Sequence, residues 1–212
     1  GEISLGAGIG SSGASTYFGV KENNFLGKGI KLATNLDLTE DSIRGRFSVT
    51  NPNFNYSDKQ ISTSVESTSV DKKAESGYSS TKTGFTLGTG FEQFENVYFT
   101  PRISNFYEDL ETKSTASKNL KKQSGTYLES KFSYGLDYDM RNQRFQTTEG
   151  FRSNFSQTIP LLSEEYSLGN VYDYKTWYKL SNNMVTSLNF YGRTVNSLTG
   201  DDVRITNRFW LP

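Results

Sequence analysis

Long runs in which apolar and polar residues alternate, joined by short turns, constrain this 212-residue chain more than any other feature. The clearest spans 128–138, where Leu128, Phe132, Tyr134, Leu136 and Tyr138 alternate with Glu129, Lys131, Ser133, Gly135 and Asp137. A period of two sends successive side chains to opposite faces of a strand. Two such runs, Ser15–Glu22 and Ile30–Leu38, flank the segment Asn23, Asn24, Phe25, Leu26, Gly27, Lys28 and Gly29. Asn24 and the two glycines tolerate positive φ, so this segment predicts a hairpin turn.

The plan recurs along the chain. Glu2–Ser11 puts Ile3, Leu5, Ala7 and Ile9 on one face and Ser4, Gly6, Gly8 and Gly10 on the other. Glycines filling one face leave nothing to pack and keep the backbone free, which weakens a strand. Ser12-Gly13 turns into the second run. Ile43, Gly45, Phe47 and Val49 alternate with Arg44, Arg46, Ser48 and Thr50. Asn51-Pro52-Asn53 ends that run, since proline cannot donate to a ladder. Further strands are predicted over 60–70, 78–91, 96–107, 150–159, 165–179 and 184–194. Pro101, inside one of them, predicts a bulge or an unpaired position. Phe91–Glu95 reads as a tight connection and Pro160–Glu164 as a turn. Glu108–Ser124, polar and mixed in charge, reads as a flexible, solvated loop. The count is roughly eleven antiparallel strands, with no helix signal.

Strand length separates a membrane wall from a soluble sheet. Soluble strands are typically about 5–6 residues long, whereas a tilted membrane crossing needs about 9–11. The mean hydropathy of −0.63 is too polar for helical spans. Yet aromatic residues make up 14% of the chain, alongside 19 glycines. Such a composition suits strands with one face in lipid and the other in a wet lumen. A soluble sandwich keeps more Val, Ile and Leu for a dry core. Aromatics near the run ends (Phe25, Phe54, Tyr56, Phe91, Phe94, Tyr98, Tyr107, Tyr138 and Phe145) fit interfacial girdles. The expected fold is an all-β, antiparallel, up-and-down transmembrane β-barrel, with Arg44, Arg46, Glu129, Lys131, Asp137 and Arg152 facing its lumen.

The chain has neither His nor Cys, so Ser–His–Asp and Cys–His arrangements and thiolate metal sites are impossible. Its 23 basic and 23 acidic residues balance without a basic stripe, which argues against nucleic acid as a partner. Acidic clusters at Asp37/Glu40/Asp41, Glu108/Asp109/Glu111, Glu164/Glu165 and Asp201/Asp202 fall in predicted turns or loops, where solvated acids are ordinary content. Gly6-Ala7-Gly8-Ile9-Gly10 matches neither the dinucleotide nor the Walker phosphate loop. No cofactor, metal or catalytic residue is expected, and the chain does not read as an enzyme.

Several motifs resemble the outer-membrane insertase superfamily, whose best-known member is the central barrel subunit of the β-barrel assembly machinery. Glu22–Gly29 resembles the turn between that family's second and third strands, and Phe47–Phe54 its fourth strand and following turn. Tyr134–Asn142, running into Thr148-Glu149-Gly150, and the strand ending Thr158-Ile159-Pro160 continue the match in order. Arg208-Phe209-Trp210-Leu211-Pro212 resembles the approach to the family's long sixth extracellular loop. Two departures stand out. Phe145–Gly150 lacks the proline usual in that turn, and the family's Val-Arg-Gly-Phe type motif is absent. The resemblance implies the first eleven or so strands of a barrel of about sixteen. Residues 1–212 are then one partial barrel domain, without the preceding periplasmic domains or the C-terminal strands.

The resemblance also implies an integral protein of the Gram-negative outer membrane that folds and inserts nascent β-barrel proteins. Its partners would be those nascent proteins, outer-membrane lipid and accessory lipoproteins. The residues themselves suggest a weak seam at the first strand: Ile3, Ser4, Leu5, Gly6, Ala7, Gly8, Ile9 and Gly10. Its unpaired N–H and C=O groups would accept an incoming strand. The alternatives are a relative that secretes or assembles a passenger protein by two-partner secretion or autotransporter assembly, a porin-like channel, and a soluble adhesin sandwich.

Overall fold

The computed structural model describes residues 1–10, 13–164, 166–200 and 202–208. Eleven strands run in chain order: β1 (Glu2–Gly10), β2 (Gly13–Phe25), β3 (Ile30–Thr39), β4 (Ser42–Asn51), β5 (Gln60–Lys72) and β6 (Tyr78–Phe94), then β7 (Val97–Thr112), β8 (Gly125–Asp139), β9 (Gly150–Leu162), β10 (Ser167–Ser181) and β11 (Met184–Ser197). They form one antiparallel up-and-down sheet in which each strand pairs with its neighbours in sequence. The sheet is open, with β1 and β11 at its edges. The remaining elements among the described residues are a one-turn helix, α1 (Lys118–Lys121), and two 3-10 turns, Phe54–Tyr56 and Ile205–Asn207.

The strands are 9 to 17 residues long, enough for a tilted crossing of a bilayer. Register sorts their side chains by face. Val49, Thr63, Leu87, Ile103, Phe132 and Ile159 lie side by side on one face of β4–β9. The other face carries rows such as Ser48, Ser64, Thr86, Ser104 and Lys131. Among the described residues only Tyr78, Leu110 and Ile205 are buried apolar side chains. Residues such as Leu87 and Ile103 stay exposed on the apolar face. The absence of a dry core among these residues is what a lipid-facing wall requires and a soluble sandwich does not allow.

The strand interiors follow the alternation, whereas several ends do not. β6 continues to Phe94, so the reversal is the two-residue turn Glu95-Asn96, with Asn96 at φ 62°. β7 continues to Thr112, so Glu108–Thr112 is strand rather than loop. The remaining connector, 113–124, is tied down and includes a helical turn. Lys113 N–H donates to the Gly77 carbonyl (2.8 Å), Leu120 N–H to Ser117 Oγ (3.3 Å) and the Tyr127 hydroxyl to the Gln123 carbonyl (2.5 Å). β9 passes through Pro160 to Leu162, and a shift at Ser130/Lys131 of β8 absorbs the irregularity. β10 begins at Ser167, and β11 extends to Ser197.

Pro101 keeps its register with Tyr134 of β8, while pairing with β6 lapses between Gly88↔Arg102 and Phe91↔Phe99. This is the unpaired position expected of a residue without an N–H. In the β3–β4 turn, the Thr39 hydroxyl donates to Asp41 at 2.9 Å, and Lys72 stands 3.4 Å away. Together, the hydrogen bond first, they hold that carboxyl below its usual range. The expected Ser12-Gly13 turn, Glu165, Asp201 and the motif end at 209–212 lie wholly or partly outside the described residues.

Candidate functional site

β1 pairs with β2 in unbroken register from Glu2↔Lys21 to Gly10↔Gly13. Its other edge has no partner among the described residues, and alternate N–H and C=O groups point outward along it. Ser4, Gly6, Gly8 and Gly10 share a face with Tyr17 and Ser15 of β2. On the opposite face Ile3, Leu5 and Ile9 are 71%, 78% and 92% exposed. A Cβ on Gly6 would stand 3.8 Å from Tyr17 Cβ, and one on Gly8 3.5 Å from Ser15 Oγ. Both are ordinary contacts, so β2 does not demand glycine at either position. What the glycines change is the stiffness of the edge strand.

The β2–β3 turn differs from expectation in one respect. Positive φ belongs to Leu26 (54°), Gly27 (71°) and Gly29 (67°), not to Asn24. Asn23 and Asn24 lie in a bulge of β2 between Glu22 and Phe25. Asn24 acts through its side chain, whose Oδ1 accepts from Gly29 N–H at 2.6 Å. Glu22 in turn accepts from Asn24 N–H at 2.8 Å, and Gly27 and Lys28 donate to the carbonyls of Asn24 and Phe25. The motif is a self-bonded loop that fixes the register of two strands.

The charges read as lumen-facing share the polar face. Arg44 and Arg46 pair in register with Thr68 and Glu66, then in turn with Lys82 and Gly84, Glu108 and Phe106, and Tyr127 and Glu129. Lys131 and Asp137 follow on β8, and Arg152 joins opposite Asp139. They do not converge on one site. Arg44 pairs with Glu66 at 2.6 Å and Lys131 with Glu129 at 2.8 Å. Arg152 grips the Asp137 carboxylate through Nε (2.9 Å) and Nη2.

The densest cluster joins Glu129 and Lys131, read as lumen-facing, and Glu108, read as a loop acid, to Lys82 and Arg204, which the sequence pattern did not single out. Glu108 and Glu129 are 0% and 1% exposed, and Arg204 is 2% exposed. Arg204 Nη1 donates to Glu108 at 3.0 Å and to Glu129 at 2.7 Å, and its guanidinium lies 3.5 Å from the Tyr127 ring centroid. Lys82 approaches the other oxygen of Glu129 at 3.3 Å, and Ser80 donates to Glu108 at 2.8 Å. Lys131 reaches Asn207 at 3.3 Å, while Ile205 N–H donates to Gln123 and the Ile205 side chain packs on Tyr78 and Leu110. The chain beyond β11 therefore folds back across β7 and β8. Glu108, expected as a solvated loop acid, is instead a buried strand residue. Buried charges persist where each is paired and hydrogen-bonded. The sequence offered one clue, because Phe106, Glu108 and Leu110 continue the two-residue period of β7. This cluster is a clasp holding one segment on another. Among the described residues no group of three or more carboxylates is placed to hold a metal.

Eleven long antiparallel strands, apolar on one face and ion-paired on the other, make the wall of a transmembrane β-barrel. The Omp85 superfamily domain matches residues 24–211, and the chain belongs to that superfamily of outer-membrane β-barrel proteins. Among solved structures, the chain is similar to BamA from Haemophilus ducreyi lacking POTRA domains 1–3, with a TM-score of 0.84 and 22% identity. The match covers 98% of this chain and 43% of that one, and the likeness establishes the barrel fold. No curated protein matches the chain.

Proposed function

We propose that this chain is part of the barrel of an outer-membrane assembly factor that folds and inserts nascent β-barrel proteins by adding their strands at a weak seam along β1. Its partners would be the nascent proteins, the surrounding outer-membrane lipid and accessory lipoproteins. The observation that carries the reading is the β1 edge. Glycines on the polar face of a nine-residue strand, with exposed Ile3, Leu5 and Ile9 on the other, make a strand that holds a closing partner weakly and, once parted from it, offers main-chain hydrogen bonds. Membership of the Omp85 superfamily supports the same role. Release of the finished barrel into lipid needs no nucleotide, because burying its apolar band drives insertion.

The test is to replace Gly6 or Gly8 by proline in the full-length protein, with Gly6→Ala as the control that keeps the N–H. Proline removes a donor and disturbs the strand. The proline variants should lose at least about ten-fold in the rate of barrel insertion into liposomes, about 1.4 kcal/mol in barrier height, while Gly6→Ala stays near the wild type. A cysteine at Leu5 or Ala7 should also form disulfides with a cysteine in the terminal strand of an arrested substrate. Full activity in both proline variants, without cross-links, would refute strand addition at β1.

A further inference from the structure

Strands β4–β7 carry a stretch of polar face beside the part covered by the segment after β11. Three rows cross it in register. The middle row is all hydroxyl: Ser48, Ser64, Thr86 and Ser104. The row on one side brings Arg46 and Gly84 into line, and the row on the other brings Gly88 and Arg102. The glycines deepen the floor. The Phe106 ring folds over Gly84, and the Arg102 stem crosses Gly88, where a Cβ would stand 2.9 Å from Arg102 Cγ. The result is a depression of about 470 Å³, lined by Arg46 and Arg102 among others.

Among the described residues one carboxylate, Glu66, also lines it, and that acid is engaged elsewhere. Glu66, the register partner of Arg46, is taken by Arg44 at 2.6 Å. Among the described residues no carboxylate pairs with Arg46 or Arg102. Thr86 and Ser104 bond to each other at 2.9 Å and keep further hydrogen-bonding capacity.

We propose that this depression seats an extended acidic polypeptide segment, its carboxylates on Arg46 and Arg102 and its backbone along the hydroxyl row. Two features select that occupant. A guanidinium matches a carboxylate with two parallel hydrogen bonds, and exposed arginines without acids call for an anion. The same face also already holds a polypeptide segment in the adjoining half, by the opposite pairing, with Arg204 of the segment on Glu108 and Glu129 of the sheet. The two seats abut, since Phe106 pairs in register with Glu129, and Ser104 with Lys131. This site is separate from the β1 edge, and strand addition there can fail without touching it.

The experiment measures binding of a fluorescent peptide alternating Glu and Ser, and of its Gln counterpart, to the full-length protein in nanodiscs. The acidic peptide should bind at least about ten-fold tighter than the neutral one. The double substitution Arg46→Gln with Arg102→Gln should abolish that preference, with folding verified by heat-modified mobility. Replacing both arginines by lysine should retain part of it, and millimolar inorganic phosphate should not compete. Equal affinity for both peptides, an unchanged preference in the Gln variant, or displacement by phosphate would each overturn the proposal, the last by showing a site for free oxyanions.

Discussion

Arg204 sits between two carboxylates on neighbouring strands, so removing it exposes the cost of burying charge. With Arg204→Met, Glu108 and Glu129 lose their shared guanidinium and keep Lys82, Lys131 and Ser80 among their partners. Breaking a buried pair from one side costs about 3–5 kcal/mol, and urea unfolding of the full-length barrel in bilayers should show a loss of that size. Adding Glu108→Gln to Arg204→Met should cost less than the two single changes summed, because they share partners. The turn residue Asn24 has a smaller stake. Asn24→Ala removes the acceptor for Gly29 N–H in an exposed loop, and the same assay should register about 1 kcal/mol.

At the scale of elements, the connector between β7 and β8 overturns the impression that a lysine-rich stretch is loose. Leu120 packs against the Tyr78–Leu110–Ile205 cluster, and backbone bonds close the turn from Ser117 to Gln123. Limited trypsin treatment of the bilayer-embedded protein should therefore leave Lys118, Lys121 and Lys122 largely uncut, whereas Leu120→Ala should be cut there readily. Rapid cleavage of the wild type would contradict the anchored loop. The contrast also shows what a chain reveals of itself. Strand interiors were legible because a period of two is local: Phe132, Tyr134 and Leu136 declare their face without reference to anything distant. Glu108–Thr112 was not legible, since its Glu108 is buried by a segment almost a hundred residues later. The strand through Pro160 was missed for a related reason, as proline marks a break unless a neighbour supplies the irregularity that admits it. For the candidate site, the glycine-rich first strand could be read directly, whereas the clasp needed the fold.

For the molecule as a whole, the contrast between edge and centre should govern its dynamics. β1 is 9 residues long with glycines at positions 6, 8 and 10, while β7 is 16 long and carries no glycine. Amide hydrogen exchange of the full-length protein in nanodiscs should be at least about ten-fold faster across residues 2–10 than across 102–110, because opening a short, glycine-rich strand breaks fewer interactions. Equal protection would show that β1 is no weaker than the strands at the centre of the sheet. The clasp adds an order of events. Arg204 finds its partners 75 and 96 residues upstream, and contacts so distant along the chain form late, after β7 and β8 have paired. Only correct registration of those two strands brings Glu108 and Glu129 together. A wall zipped one step out of line would offer no seat, and the segment would stay undocked. Docking of Arg204 is thus open only to a wall whose β7 and β8 are in register, so that a segment far along the chain reads the alignment of strands laid down long before it.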